Sequence, residues 1–127
     1  MLGLRHVALR VADIRKSLDF YTRVLKLKVE WHPDPDNVYL TSGTDNLALH
    51  QVGGDSVAAA APGATGLDHF GFLVATPEEV DQWAARLQQE GVELVQQPKT
   101  HRDGARSIYF RDPDRNLIQL IYHPPIS

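Results

Sequence analysis

Two histidines occupy equivalent positions in the two halves of the sequence. His6 opens the segment HVALRVA, and His69 opens the segment HFGFLVA 63 residues later. A lone histidine in a strand is more often a hydrogen-bonded structural residue than a ligand, but two at the same place in a repeat favour a shared role. Neutral imidazole is a good ligand for divalent iron, nickel, zinc and manganese. We therefore interpret His6 and His69 as a pair of metal ligands.

Further polar residues are predicted on the same face of the sheets as these histidines. Side chains alternate between the two faces of a strand, so the leucines flanking Ala48 leave His50 on the opposite face. Apolar residues fall on both faces of 117–121, so the same alternation leaves Gln119 and Tyr109 facing away from the helices only if Ile118 and Leu120 pack beneath the helix. His101 lies in a polar loop that could fold over this face. The third ligand of a two-histidine metal site is usually a carboxylate. Here the candidate is Gln119, whose amide oxygen can coordinate but carries no charge.

The elements that must position these residues follow the same pattern twice. Each half starts with a strand and continues with a helix, the first capped by Asp13 and the second by a capping box that begins at Thr76. Three shorter strands follow, at 28–32, 38–41 and 47–52 in the first half and at 92–96, 107–111 and 117–122 in the second. The sequence therefore predicts an α+β fold of two βαβββ modules, with mixed sheets curved around one cavity and the helices outside.

Length and composition limit the classes of protein that fit. The 127 residues suffice for one domain, and 43% hydrophobic with 23% charged residues is an ordinary globular composition. We assign residues 1–127 to a single domain, with modules at 1–53 and 66–127 and a linker of small residues at 54–65. Thirteen Lys and Arg against sixteen Asp and Glu argue against nucleic acid as a partner. The absence of cysteine excludes disulfides, thiolate nucleophiles and cysteine-built zinc sites.

The sequence gives no sign of a membrane or an export signal. No apolar run approaches the ~18 residues that span a bilayer, and the first residues lack the basic and apolar regions of a secretory signal. A cytoplasmic protein is therefore expected.

Four segments resemble the vicinal oxygen chelate superfamily, which includes glyoxalase I, bleomycin and fosfomycin resistance proteins, methylmalonyl-CoA epimerase and extradiol dioxygenases. The resemblance covers essentially the whole chain. Its segments are HVALRV from residue 6, DIRKSLDFY from residue 13, LDHFGF from residue 67 and SIYFRDPDRNLIQL from residue 107. Two turn residues depart from the pattern. Arg115 stands where the family has Gly or Pro, and Lys26, where the first helix usually ends in Gly, is expected to adopt a left-handed conformation.

The resemblance implies roles for the polar residues named above. The family's metal ligands fall on His6, His69 and Gln119, and the last of these departs from the usual Glu. The extradiol dioxygenases place catalytic groups where this chain has His50, His101 and Tyr109. An extradiol-dioxygenase-like enzyme is therefore the leading interpretation, with Fe2+ or Mn2+ favoured and Ni2+ or Zn2+ as alternatives. Its substrate would be a small molecule that chelates the metal through adjacent oxygens.

Two other functions remain open within the same resemblance. One is a lyase or isomerase of the glyoxalase type, although Ala48 stands where glyoxalase I takes a further ligand. The other is a metal-free binding protein of the bleomycin-resistance type, which Gln119 favours because an amide holds a metal less strongly than a carboxylate does. The resemblance also implies a homodimer.

Overall fold

The computed structural model describes residues 2–52 and 67–124, so the linker predicted at 54–65 lies outside the described residues. The chain divides into two compact units, Met1–Ala61 and Pro62–Ser127. Each unit contains one four-stranded mixed sheet, and we refer to the units as the first and second modules. Over the two described stretches, no helix is long and apolar enough to cross a membrane.

The first module follows the predicted βαβββ order. Its strands are β1 (His6–Val11), β2 (Lys28–Asp34), β3 (Asn37–Thr41) and β4 (Asn46–Gln51). They lie in the order β1-β4-β3-β2, with β1 and β4 parallel and the other neighbours antiparallel. The helix α1 (Ile14–Asp19) connects β1 to β2 and continues as a π-helical turn.

The second module repeats this arrangement. Its strands are β5 (Phe70–Val74), β6 (Leu94–Thr100), β7 (Arg106–Arg111) and β8 (Leu117–Tyr122), and α2 (Pro77–Gln89) follows β5. The order is β5-β8-β7-β6, again with one parallel pair, β5 and β8. The predicted fold of two βαβββ modules is confirmed.

The helix starts are as predicted. The Asp13 carboxylate accepts hydrogen bonds from the backbone N–H groups of Arg15 and Lys16, and the Thr76 hydroxyl accepts one from Glu79. At the end of the first helix, Lys26 adopts a φ of 65°, the left-handed conformation expected for it. Arg115 also has a positive φ, 68°, a conformation that glycine adopts at no steric cost.

The first helix differs from the regular helix that its apolar stripe predicts. Residues Phe20–Val24 form a π-helical turn, in which the N–H of Leu25 donates to the carbonyl of Phe20, five residues earlier. The wider turn lets neighbouring residues bury their side chains together. Phe20 and Tyr21 are both buried and meet edge to face at 5.3 Å.

Two of the four edge strands, β2 and β6, are longer than predicted, and both contain proline. β2 runs to Asp34 through Pro33, and β6 runs to Thr100 through Pro98. Proline donates no ladder hydrogen bond, so an edge strand tolerates it where a central strand does not. Pro33 also fits a turn, because proline marks turns as well, and the position of the strand in the sheet decides between the two.

Each sheet buries one face beneath its helix. In the first module the buried set includes Leu47 and Leu49, and Gln51 on the same side accepts a hydrogen bond from the N–H of Ile14 in α1. In the second module α2 packs against all four strands, over Ile118 and Leu120. We call the opposite side of each sheet its helix-free face.

Candidate functional site

The strand register places the predicted site residues on the helix-free faces. Because Ile118 and Leu120 are buried on the helix side, Gln119 points to the other face, as the alternation predicts. In each module, residues that pair across neighbouring strands form one row across the sheet, and the two rows are equivalent. In the first module the row is Ala8, Ala48, Tyr39 and Trp31, and in the second it is Gly71, Gln119, Tyr109 and Gln96. The small residue Ala48 is thus the counterpart of Gln119.

Three predicted site residues meet in the second module. The ring of His69 lies 5.3 Å from that of Tyr109, nearly perpendicular to it, and Tyr109 is paired across the ladder with Gln119. The Nδ1 atom of His69 lies 2.6 Å from a carboxylate oxygen of Asp68. A carboxylate only accepts, so Nδ1 carries the proton and Nε2 keeps its lone pair for a metal or a substrate.

The Gln119 side chain folds back over the neighbouring strand at a glycine. A Cβ built at Gly71 would lie 3.4 Å from the Oε1 atom of Gln119 and 3.3 Å from its backbone oxygen. Glycine at this position therefore makes room for the amide. The matching pair in the first module is Ala8 and Ala48, where no long side chain needs that room.

His101 approaches the same helix-free face from its loop. Its Nε2 atom lies 2.8 Å from the hydroxyl oxygen of the fully buried Ser107, and the loop is closed by a hydrogen bond from the His101 N–H to the carbonyl of Ala105. The loop forms one wall of an open groove of about 870 Å³. The groove is lined by Lys99, Thr100, His101, Arg102, Asp103, Ala105, Gln119, Ile121 and His123.

In the first module His6 is held by an asparagine that sequence reasoning missed. The Nδ1 atom of His6 lies 2.6 Å from Oδ1 of Asn46, its partner on β4. The amide nitrogen of Asn46 donates to Glu30 at 3.1 Å. Strand alternation could have found Asn46, because it shares the face of Ala48 and His50.

His50 has the same kind of partner. Its Nδ1 atom lies 2.6 Å from Oδ1 of Asn37, whose amide nitrogen donates to both carboxylate oxygens of Asp34 at 3.0 and 3.1 Å. The hydrogen bond from Asn37 holds the pKa of Asp34 below its ordinary value. An aromatic pair adjoins the histidine, since Tyr39 meets His50 edge to face and stacks on Trp31 at 5.1 Å. Trp31 remains 60% exposed.

The structure thus brings the predicted residues together in two groups. His6 and His50 lie on the helix-free face of the first module, and His69, Gln119 and Tyr109 lie together on that of the second, with His101 beside them at Ser107. Among residues 2–52 and 67–124 there is no cluster of three or more His, Cys, Asp or Glu side chains suited to a metal. The predicted ligand set contains only two such residues, because its third member is an amide. Its donor chemistry fits a divalent ion: two imidazole Nε2 lone pairs and one amide oxygen.

A model of the Glyoxalase/Bleomycin resistance protein/Dioxygenase superfamily matches residues 3–120, and the chain belongs to this superfamily. Among curated relatives, the chain is 32% identical over 120 residues to "Glutathione transferase FosA" of Serratia marcescens, covering 93% of this chain and 79% of that protein. It is 31% identical over 122 residues to "Glyoxalase domain-containing protein RDO1" of Mycosarcoma maydis, covering 93% of this chain and 66% of that protein. The crystal structure of "Virulence protein STM3117" from Salmonella typhimurium superimposes with a TM-score of 0.73 at 27% identity, covering 98% of each chain.

Proposed function

We propose that the protein is a metal-dependent enzyme acting on a small substrate that chelates the metal through adjacent oxygens. His6, His69 and Gln119 are the proposed ligands, with Fe2+ or Mn2+ favoured and Ni2+ or Zn2+ as alternatives. The observation that carries the proposal is the group in the second module, where Asp68 leaves the Nε2 lone pair of His69 available beside Gln119 and Tyr109. A bound divalent ion would supply positive charge to polarise the substrate oxygens.

The charges around Gln119 favour an anionic substrate. Two imidazoles and an amide are neutral, so the ligands leave the full charge of a divalent ion in place. The groove beside Gln119 adds Lys99 and Arg102, against the single carboxylate of Asp103. A phosphonate, carboxylate or catecholate would therefore be attracted to this groove. In our proposal Tyr109 donates a hydrogen bond from its hydroxyl to a substrate oxygen.

The similarity to the Serratia transferase supports transfer of a thiol as the reaction. A thiolate sulfur would attack an electrophilic carbon, the bond from that carbon to oxygen would break, and the released oxygen would take up a proton. Fosfomycin, a phosphonate that carries an epoxide, offers both the anion and the electrophilic carbon. In our proposal His69 and Gln119 hold the metal, and Tyr109 donates its hydrogen bond to the departing oxygen.

Extradiol cleavage of a catechol is the second candidate reaction. It is supported by the positions of Tyr109, against the ring of His69, and of His101, on the same helix-free face through Ser107. In that reaction both atoms of O2 enter the product as the ring opens. His50 and His101 would exchange protons with the catechol, because histidine gains and loses a proton near neutral pH.

One set of assays separates these reactions. The full chain is loaded with Mn2+ or Fe2+ without oxygen, then given fosfomycin with glutathione, a panel of catechols with O2, and the adduct of methylglyoxal with glutathione. The test variant is His69→Ala. Its matched control is His32→Ala, which replaces an exposed histidine of β2. Thiol consumption that is lost in His69→Ala and kept in His32→Ala supports the proposal. Oxygen uptake selects the second candidate, and turnover of the adduct selects a lyase.

The remaining outcome is a protein that binds without catalysing. If no substrate turns over and an anionic aromatic compound binds equally with and without metal, the protein is a metal-free binding protein and the proposed enzyme is wrong. The homodimer implied by the resemblance remains a prediction, which light scattering of the purified protein would check.

A further inference from the structure

Two histidines of the first module are each tied to a carboxylate through an asparagine. His6 Nδ1 lies 2.6 Å from Oδ1 of Asn46, whose amide nitrogen donates to Glu30. His50 repeats the arrangement with Asn37 and Asp34, again at 2.6 Å between ring and amide. The repetition on one sheet face calls for a common explanation.

The carboxylate fixes which way each amide points. A carboxylate only accepts hydrogen bonds, and an asparagine side chain donates only from its nitrogen. The NH2 group of Asn46 must therefore face Glu30, which turns its carbonyl oxygen toward His6. That oxygen can only accept, so the proton of the neutral imidazole lies on Nδ1. The same reasoning applies to His50 and leaves a lone pair on Nε2 of both rings.

We propose that Asn46 and Asn37 are positioning residues that hold His6 and His50 in the Nδ1–H tautomer. The inference rests on the proposed function for its purpose: Nε2 of His6 would be presented to the metal, and Nε2 of His50 would be ready to accept a proton from substrate. In the second module, Asp68 does the same for His69 directly. The partner of His101 is a hydroxyl, which both donates and accepts, so no tautomer is fixed there.

The tautomers are measured directly by 15N NMR of the histidine rings in the full chain. In the wild type, His6 and His50 should show the Nδ1–H pattern. Asn46→Leu should move His6 toward the Nε2–H form and leave His50 and His69 unchanged. Asn37→Leu should move His50 toward the Nε2–H form and leave His6 and His69 unchanged. Asn46→Asp keeps an acceptor oxygen and should restore the pattern of His6. An Nε2–H pattern for either ring in the wild type overturns the inference.

Variants at the exposed carboxylates keep the test valid if the leucine variants fail to fold. Glu30→Leu and Asp34→Leu leave both asparagines in place but remove the acceptor oxygens that orient each amide, whereas a glutamine or asparagine there would keep one. Each should give its histidine a mixture of tautomers while the other histidine keeps the wild-type pattern. Unchanged patterns in both variants would show that the carboxylates do not orient the amides, against the inference.

Metal titration separates this inference from the proposed function. Asn46→Leu should weaken Mn2+ binding by about 10- to 100-fold, as is usual when a partner of a ligating histidine is lost. Asn37→Leu should leave Mn2+ affinity unchanged, because His50 is not a proposed ligand. Predicted tautomers in a protein that binds no metal would support the positioning role and refute the proposed function. An Nε2–H tautomer in a protein that binds Mn2+ tightly would refute the positioning role and support the metal binding on which the proposed function depends.

Discussion

Replacing Gly71 by alanine should weaken metal binding through the Gln119 side chain. The added Cβ would lie 3.3 Å from the Gln119 backbone oxygen and 3.4 Å from its Cβ and Oε1 atoms. The separation from the backbone oxygen is tight, so a neighbour must move by a few tenths of an ångström, and those from Cβ and Oε1 are at the limit of ordinary van der Waals contact. The backbone oxygen belongs to the parallel ladder of β5 and β8. The amide is the group that can rotate, and its Oε1 atom is the proposed ligand.

The expected loss is about tenfold in Mn2+ affinity, the lower end of what a misplaced ligand or ligand partner costs. This corresponds to ~1.4 kcal/mol of binding free energy. The fold should be little affected, because alanine in a strand gains ~0.5 kcal/mol over glycine and the crowding offsets that gain. Calorimetric titration with Mn2+ gives the affinity, and urea unfolding gives the stability.

A double-mutant cycle tests whether the effect passes through Gln119. In a Gln119→Ala background there is no amide to displace, so Gly71→Ala should leave Mn2+ affinity unchanged. An equal loss in both backgrounds would show that alanine acts by distorting the strands. Unchanged affinity in the single variant would refute the placement of the amide or its role as a ligand.

Three further changes have definite expected outcomes. Gln119→Glu should tighten Mn2+ binding about tenfold by calorimetry, because a carboxylate adds charge to the ligand set; equal or weaker binding would mean that position 119 does not face the metal. Lys26→Gly and Arg115→Gly should each raise the free energy of unfolding in urea by ~0.5 kcal/mol, since both residues have positive φ; lower stability would refute the strain. The hydrogen bond from Arg106 lowers the pKa of Asp81, so the pair stabilises the fold above the ordinary aspartate pKa and loses this effect as the pH falls. Asp81→Asn should therefore cost ~0.5 kcal/mol at neutral pH and nothing in strong acid, and a cost independent of pH in urea unfolding would contradict this.

Strand alternation predicted the faces of the sheets but not their hydrogen-bond partners. The strand 117–122 is apolar on both faces, so Gln119 and Tyr109 could be assigned to the helix-free face only by assuming that Ile118 and Leu120 pack beneath the helix, and both are buried there. The asparagine partners of His6 and His50 were missed. Alternation places both asparagines on the right face, but the contacts also depend on which residues stand opposite each other on the parallel strands β1 and β4 and the antiparallel strands β3 and β4.

Structural features that depend on neighbouring residues were predicted from the sequence, whereas one that depends on packing between elements was not. The cap at Thr76 was predictable because it depends on a few neighbouring residues, and the left-handed Lys26 was expected because the resemblance places it where the family has glycine. The π-helical turn at Phe20–Val24 was not, since packing of the whole helix against its sheet decides the turn width. That His6, His69 and Gln119 share one metal remains a prediction.

The metal content of the protein tests this central claim most directly. The full chain is purified without a metal-affinity tag, equilibrated with Mn2+ or Fe2+ in the absence of oxygen, desalted and analysed by mass spectrometry beside His6→Ala, His69→Ala and His32→Ala. We expect one ion per chain in the wild type and in His32→Ala, and none in the other two variants, with all four proteins folded by circular dichroism. Full occupancy in folded His6→Ala or His69→Ala, or a wild type that retains no ion, would contradict the proposed metal site.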